Sequence, residues 1–132
     1  MGVRRRRVCI RDSPKPQEGD GKGSGMHTNF SNSAMRDSGS EELMNSLCEK
    51  LGEAHSEGIA AYGSDNDKRL TGDHETQSIN TFSYGISDRG ASIRIPIYTI
   101  DNNWNGYLED RRPASNADPY RIIKHIVGTL TK

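Results

Sequence analysis

His27 and Glu109 are the residues of this 132-residue chain best suited to share one hard divalent cation. Imidazole and carboxylate both accept Mg²⁺ or Mn²⁺, ions that commonly keep several waters and bridge phosphates. Two donors are too few for a complete site, and a hydrogen-bonded strand histidine beside a surface glutamate accounts for the same spacing. Arginines at 69, 89, 94, 111 and 112, mixed with glycines, are the groups that bind carboxylates and polyphosphates, because guanidinium makes bidentate, charge-assisted bonds. Solvated surface arginines explain that pattern almost as well. Glu75 lies in the polar stretch GSDNDKRLTGDHETQS over 63–78, where a carboxylate on a closing loop can take a proton, or simply face water. Gly23-Ser24-Gly25 lacks the GxxxxGK[ST] spacing of a P-loop and precedes a strand rather than a helix.

The elements that position these residues follow from periodicity. From Met26 the chain alternates, so that Met26, Thr28 and Phe30 face one way from a strand while His27, Asn29 and Ser31 face the other. Ser40 followed by Glu41 and Glu42 is an N-cap and an acidic first turn. With Leu43, Leu47 and Leu51 at i+4 spacing, this predicts an amphipathic helix over about 40–55. Thr81–Ile86 and Ala91–Ile97 read as two strands of a tight hairpin around Ser87-Asp88-Arg89-Gly90. A further strand alternates through Tyr107, Glu109 and Arg111. Three strands thus carry His27, Arg94, and Glu109 with Arg111, on polar faces. Asp118 and Pro119 are the N-cap and first residue of a helix over 119–131, with Ile122, Ile123, Ile126, Val127 and Leu130 in one apolar stripe. The expected class is α+β, with antiparallel strands covered on the outer face by the two helices.

Composition limits the rest. Hydrophobic residues make up 31% of the chain and its mean hydropathy is −0.86, a thin supply for a core and a reason to expect reliance on partner surfaces. Eighteen Lys and Arg balance eighteen Asp and Glu, which removes a whole-chain argument for nucleic acid or an anionic membrane. Cys9 and Cys48 lack CxxC spacing and read as reduced thiols, and no apolar run reaches membrane-span length, so a soluble, cytoplasmic protein is expected. Residues 1–18 read as a disordered basic leader, ahead of a folded unit over 19–132. Arg4–Arg7 without interleaved aromatics is a solvated tail rather than a nucleic-acid patch.

Four runs in order, GSGMHTNFS at 23–31, KRLTGDHET at 68–76, DRGASIRIP at 88–96 and YLEDRRPASNADPY at 107–120, resemble type II (eukaryotic-type) glutamine synthetase, in the C-terminal part of its catalytic domain. The resemblance covers nearly all of 19–130. It implies ATP-dependent glutamate–ammonia ligation through γ-glutamyl phosphate, with ATP as a substrate, Mg²⁺ or Mn²⁺ as metal, and subunits in a ring-shaped homo-oligomer. By that resemblance His27 and Glu109 are metal ligands, Asn29 and Ser31 line the nucleotide site, and Arg89 and Arg94 contact the transferred phosphates. Arg69, Arg111 and Gly23 hold the glutamate substrate. Glu75 is the flap residue that shields the intermediate and helps deprotonate ammonium.

Where the family usually reads GDWNGxG, this chain reads Gly19-Asp20-Gly21-Lys22-Gly23-Ser24-Gly25, without the Trp and Asn, and Asp88 stands where Asn is common. The family's E-x-E metal ligands and its N-terminal β-grasp domain have no counterpart in this sequence. The resemblance therefore implies a truncated chain, inactive in isolation. The alternative is a non-catalytic paralogue that associates with full-length synthetase subunits.

Overall fold

The computed structural model describes residues 13–132, so Arg4–Arg7, Cys9 and most of the expected leader lie outside the described residues. Within them Ser13–Glu18 form neither helix nor strand, although Pro14 is buried and its carbonyl accepts a hydrogen bond from Ser24 N at 2.7 Å.

In chain order the elements are β1 (Thr28–Phe30), α1 (Ser33–Asp37), α2 (Glu41–Glu53), α3 (His55–Ala61), a 3₁₀ turn (Asn66–Lys68), β2 (Tyr84–Ile86), β3 (Ile93–Ile95), α4 (Ile97–Asp101), β4 (Leu108–Asp110) and α5 (Pro119–Leu130). Their starts have local causes. The Ser40 hydroxyl accepts from Leu43 N, and the Asp118 carboxylate accepts from Tyr120 N with Pro119 in the first turn. Both expected helices form within two residues of their expected ends, and three short helices, α1, α3 and α4, are additional.

The four strands make one sheet in the order β1-β4-β3-β2. Strand β4 runs antiparallel to both neighbours, with Asn29 opposite Glu109 and Arg94 opposite Glu109. The expected hairpin is not there: β2 and β3 pair in parallel, Tyr84 with Ile93 and Ile86 with Ile95. The class is α+β, but the sheet is mixed rather than antiparallel. The reason is local. The six residues after Ile86 double back along the strand, with Ser87 at φ 51° and Gly90 N bound to Asp88 Oδ1 at 2.8 Å. Ser83 O then accepts from both Ser92 N and Ile93 N, so β3 starts level with β2 instead of turning against it. The strand expected to reach Ile97 stops at Ile95, because Pro96 and the following turn begin α4.

The sheet has two chemically distinct faces. Ile93, Ile95 and Leu108 pack with Met35 and with Met44, Leu47, Cys48 and Leu51 of α2. Burial pushes the Cys48 thiol up to about 12, so it stays protonated. Helix α5 packs on α2 and α3, and its Ile122 and Ile126 join Tyr62 and Ala117 in a second cluster. The apolar stripe expected on α5 is split, since Ile123 and Val127 face outward. The opposite sheet face carries Arg94 and Glu109.

Beneath that face lies a buried ionic knot. Asp110 and Arg112 are 0% and 1% exposed; the Asp110 carboxylate accepts from Arg112 Nη2 at 2.7 Å, from Arg112 Nε at 2.9 Å and from Tyr62 Oη at 2.7 Å. The Arg112 guanidinium lies over the Tyr62 and Phe82 rings at 5.1 and 5.2 Å and donates to His55 Nδ1 at 3.0 Å. Burial works to lower the Arg112 pKa, but Asp110 and Tyr62 raise it overall. Removing one member of such a pair strands the other charge, at about 3–5 kcal/mol. Asp110→Ala is therefore expected to lose about that much stability in urea unfolding, and Arg112→Met a similar amount, since each leaves one buried charge without its counter-ion. Equal unfolding midpoints for Asp110→Ala and the unmutated chain would contradict this account.

Candidate active site

The polar face of β3 and β4, the end of β1 and two loops enclose a pocket of about 430 Å³. Gly23, His27, Arg69, Glu75, Arg89, Arg94, Glu109 and Arg111 all contribute to its lining. A larger cleft of about 580 Å³ lies between Ser13–Gly19 and Asp65 with Lys68, and brings no comparable set of charges together.

Pleating explains the convergence. Glu109 and Arg94 are register partners on adjacent strands, and His27 leads into β1 on the same face. His27 Nδ1 lies 3.2 Å from Glu109 Oε1. Arg111 Nη1 and Arg94 Nη1 flank the same carboxylate at 3.5 and 3.4 Å. Glu109, at 13% side-chain exposure, therefore sits beneath one imidazole and two guanidiniums. The Nε atoms of Arg94 and Arg111 are buried and have no hydrogen-bond partner among the described residues.

Arg69 is committed differently. Its Nη1 donates to Asn66 Oδ1 and Arg112 O, and its Nη2 to Arg111 O at 2.8 Å and to His27 Nε2 at 3.3 Å. A guanidinium only donates, so Nε2 is the acceptor and the His27 ring proton sits on Nδ1, facing Glu109. Burial and Arg111 draw Arg69 down to about 10, and it remains cationic at neutral pH. Gly23 and Gly25 pass against its side chain: a Cβ on Gly23 would come 2.8 Å from Arg69 Cβ, and one on Gly25 would strike the guanidinium. Only glycine lets the backbone approach so closely.

Glu75 caps the opening from the 70–79 loop. Lys22 Nζ reaches its Oε2 at 3.3 Å, Arg89 Nη1 its Oε1 at 3.8 Å, and Arg111 Nη2 donates to its carbonyl at 3.3 Å. The Lys22 hydrogen bond, with Lys22 and Arg89 charge, lowers the Glu75 pKa.

The structure thus brings together His27, Glu109, Arg69, Arg111, Arg94, Arg89, Gly23 and Glu75. It does not bring in Arg112, whose charge is spent on the buried knot. Asn29 and Ser31 lie outside the pocket lining along β1, with Ser31 Oγ bonded to Gly106 O at 2.7 Å. Lys22, His74 and Thr76 line the pocket without having been singled out as site residues. Two of them belong to the HET run and the third marks a departure in the glycine-rich segment, which was the available signal.

For a hard cation the donor set fits in part. His27 and Glu109 are close enough to share one ion, while among the described residues no group of three or more His, Cys, Asp or Glu converges. A cation taken by Nδ1 would send the ring proton to Nε2, where it would meet the Arg69 donors. Occupancy therefore requires that contact to loosen.

No protein-family model matches the chain. Curated relatives do. It is 54% identical over 122 residues to a protein named glutamine synthetase from Amanita muscaria, an alignment covering 92% of this chain and 34% of that one. It is 52% identical to the glutamine synthetase nodule isozyme of Vigna aconitifolia and 51% identical to cytosolic isozyme 1-1 of Oryza sativa subsp. japonica, with the same coverage. The chain spans about a third of the length of the curated relatives it matches.

Burial, Arg111 and Arg69 lower the His27 pKa from 6.5, against the pull of Glu109. Between the lowered value and 6.5 the unfolded chain holds more protons at this position than the folded one, so stability rises with pH across that interval. A ¹H–¹³C titration of the imidazole is expected to place His27 below 6.5, and Arg111→Gln to raise it. A midpoint above 6.5 in the unmutated chain would mean that Glu109 outweighs burial and both arginines.

Proposed function

We propose that this chain, a relative of the glutamine synthetases over 92% of its length, supplies part of the catalytic site of an ATP-dependent glutamate–ammonia ligase. The observation that carries the reading is the His27–Glu109 pair, 3.2 Å apart in a pocket lined by five cationic side chains and two carboxylates. Such an excess of fixed positive charge suits an anionic ligand.

His27 and Glu109 would hold the metal, Mg²⁺ or Mn²⁺. When bound it neutralises phosphate charge and orients the transferred group. The protein's own contribution is positioning and electrostatics, which dominate phosphoryl transfer. Arg94 offers its guanidinium to the phosphoryl group, and Arg89 reaches over from the β2–β3 loop. The nucleotide extends outward along β1, past Asn29 and Ser31. Arg111 offers its guanidinium to a glutamate carboxylate, Gly23 allows close backbone approach, and Arg69 holds the Arg111 carbonyl from behind. Glu75 closes the opening, excludes water and accepts the proton that ammonium must lose before it attacks γ-glutamyl phosphate. The neutral amine then displaces phosphate to give glutamine.

The complete reaction needs more metal ligands than His27 and Glu109, so catalysis takes place in an assembly with the remaining portion of a synthetase, ring-shaped and cytoplasmic as in the family. One observation favours a second reading. Among the described residues no third carboxylate or histidine joins His27 and Glu109, which suits a non-catalytic paralogue that docks on full-length subunits.

A glutamine-formation assay separates the possibilities. The purified chain is expected to show no turnover, and to gain it when supplemented with the missing two thirds of a related synthetase. In that mixture His27→Ala should abolish the gain, and Arg94→Gln should lower kcat on the order of 10²-fold, the usual cost of one electrostatic donor. Turnover by the lone chain that vanishes in His27→Ala would overturn the inactivity of the isolated chain. Co-purification with full-length subunits without added turnover would favour the paralogue.

A further inference from the structure

The 70–79 loop is hinged at its base, and its tip is held by polar contacts alone, among them Arg111 Nη2 to Glu75 O at 3.3 Å and Thr76 Oγ1 to Asp73 O at 2.6 Å. Ile79 N donates to Leu70 O at 2.9 Å, and His55 Nε2 lies 2.8 Å from Ile79 O, which fixes both ends. Between them Thr71 to Glu75 are exposed, and His74 and Glu75 take φ of 54° and 60°, a left-handed pair without glycine. Apolar packing does not hold this tip.

The glycine-rich segment opposite is anchored. Gly23 and Gly25 lie against Arg69, Gly25 bridges to Ala114, Ser115 N donates to Ser24 O at 3.1 Å, and Met26 N donates to Pro113 O at 2.9 Å. From this fixed edge two alternate residues reach the two left-handed ones: Asp20 Oδ1 lies 2.7 Å from His74 Nε2, and Lys22 Nζ lies 3.3 Å from Glu75 Oε2. A carboxylate meets the imidazole and an ammonium meets the carboxylate, so a slip of register would set Lys22 against His74 and Asp20 away from either.

We propose that Asp20 and Lys22 form a two-point clasp that holds the 70–79 loop over the pocket, with the Lys22 ammonium seated on Glu75 where a small cationic nucleophile would otherwise lie. The clasp stands on geometry alone; the meaning of the seat rests on the reading of Glu75 as the base for ammonium. Arg89 on the other carboxylate oxygen leaves Glu75 with a cation on each side. Lys22 stands where the family run GDWNGxG has Asn, a side chain with no charge to offer Glu75. In this chain the loop is therefore latched by a residue that also competes for the position opposite its functional carboxylate. An incoming amine must displace Lys22 before Glu75 can take its proton.

The test is amide hydrogen exchange of residues 72–78 in the full chain at low ionic strength. Lys22 is 65% exposed in its side chain, so its replacement leaves the core untouched. Lys22→Met is expected to raise exchange in this segment about two- to fivefold, the range commanded by one exposed ion pair. The double variant with Asp20→Asn should raise it further, Lys22→Arg should keep it near the starting value, and about 1 M salt should erase the differences. Unchanged exchange in both Lys22→Met and the double variant would overturn the clasp. The seat is read separately by ¹³C titration of the Glu75 carboxyl, whose midpoint should move up in Lys22→Met; an unmoved midpoint would overturn it. Neither readout involves catalysis, so failure here is distinct from failure of the ligase reading.

Discussion

The buried bond between Asp110 and Arg112 is the constraint on which the site depends. The run Glu109-Asp110-Arg111-Arg112 puts four charges in a row, and strand geometry sends them alternately to opposite sides. Asp110 and Arg112 go inward, where burial of either alone would cost several kcal/mol. Satisfied by each other, by Tyr62 and by His55, they fix the pleat, and the pleat then obliges Glu109 and Arg111 to face the pocket. Arg112 O also accepts from Arg69 and from Asn66, so the same residue that closes the knot holds the arginine behind His27. Folding and site assembly share one short segment.

That sharing decides what was legible in the sequence. Period-two alternation was enough to place His27, Arg94, Glu109 and Arg111 on polar strand faces, and N-cap chemistry located α2 and α5. Alternation could not tell which of two polar faces meets solvent, so Arg112 read like the other arginines, and Asp110 drew no attention. Residue type states a charge; only tertiary contact states where it is neutralised. The parallel β2–β3 pair was hidden for a related reason. Ser87-Asp88-Arg89-Gly90 carries turn residues that suit a hairpin, whereas the side-chain bond from Asp88 to Gly90 N and the left-handed Ser87 return the chain along its own direction. The short α1 and α4 have too few residues for a periodic signal. The role of Glu75 came from resemblance to a family, since a glutamate in a polar loop has no periodicity to betray it.

The pocket's electrostatics follow from burial of unequal kinds. Arg111 is nearly buried, and Arg94 half-buried, whereas Arg89 is open to solvent. Inner cations act through lower dielectric and are little screened; outer ones weaken with salt. A charged ligand would thus be drawn in by one set and held by another. His27 stays neutral in that field, which preserves a lone pair for coordination that a protonated ring would lack.

The consecutive left-handed residues His74 and Glu75 carry an energetic cost. Each non-glycine residue in that region stores about 1–3 kcal/mol, and glycine at either position would relieve it. The tip thus gives up some durability for its side-chain contacts: glycine would hold the same turn at lower conformational cost, but without the imidazole that meets Asp20 or the carboxylate that meets Lys22.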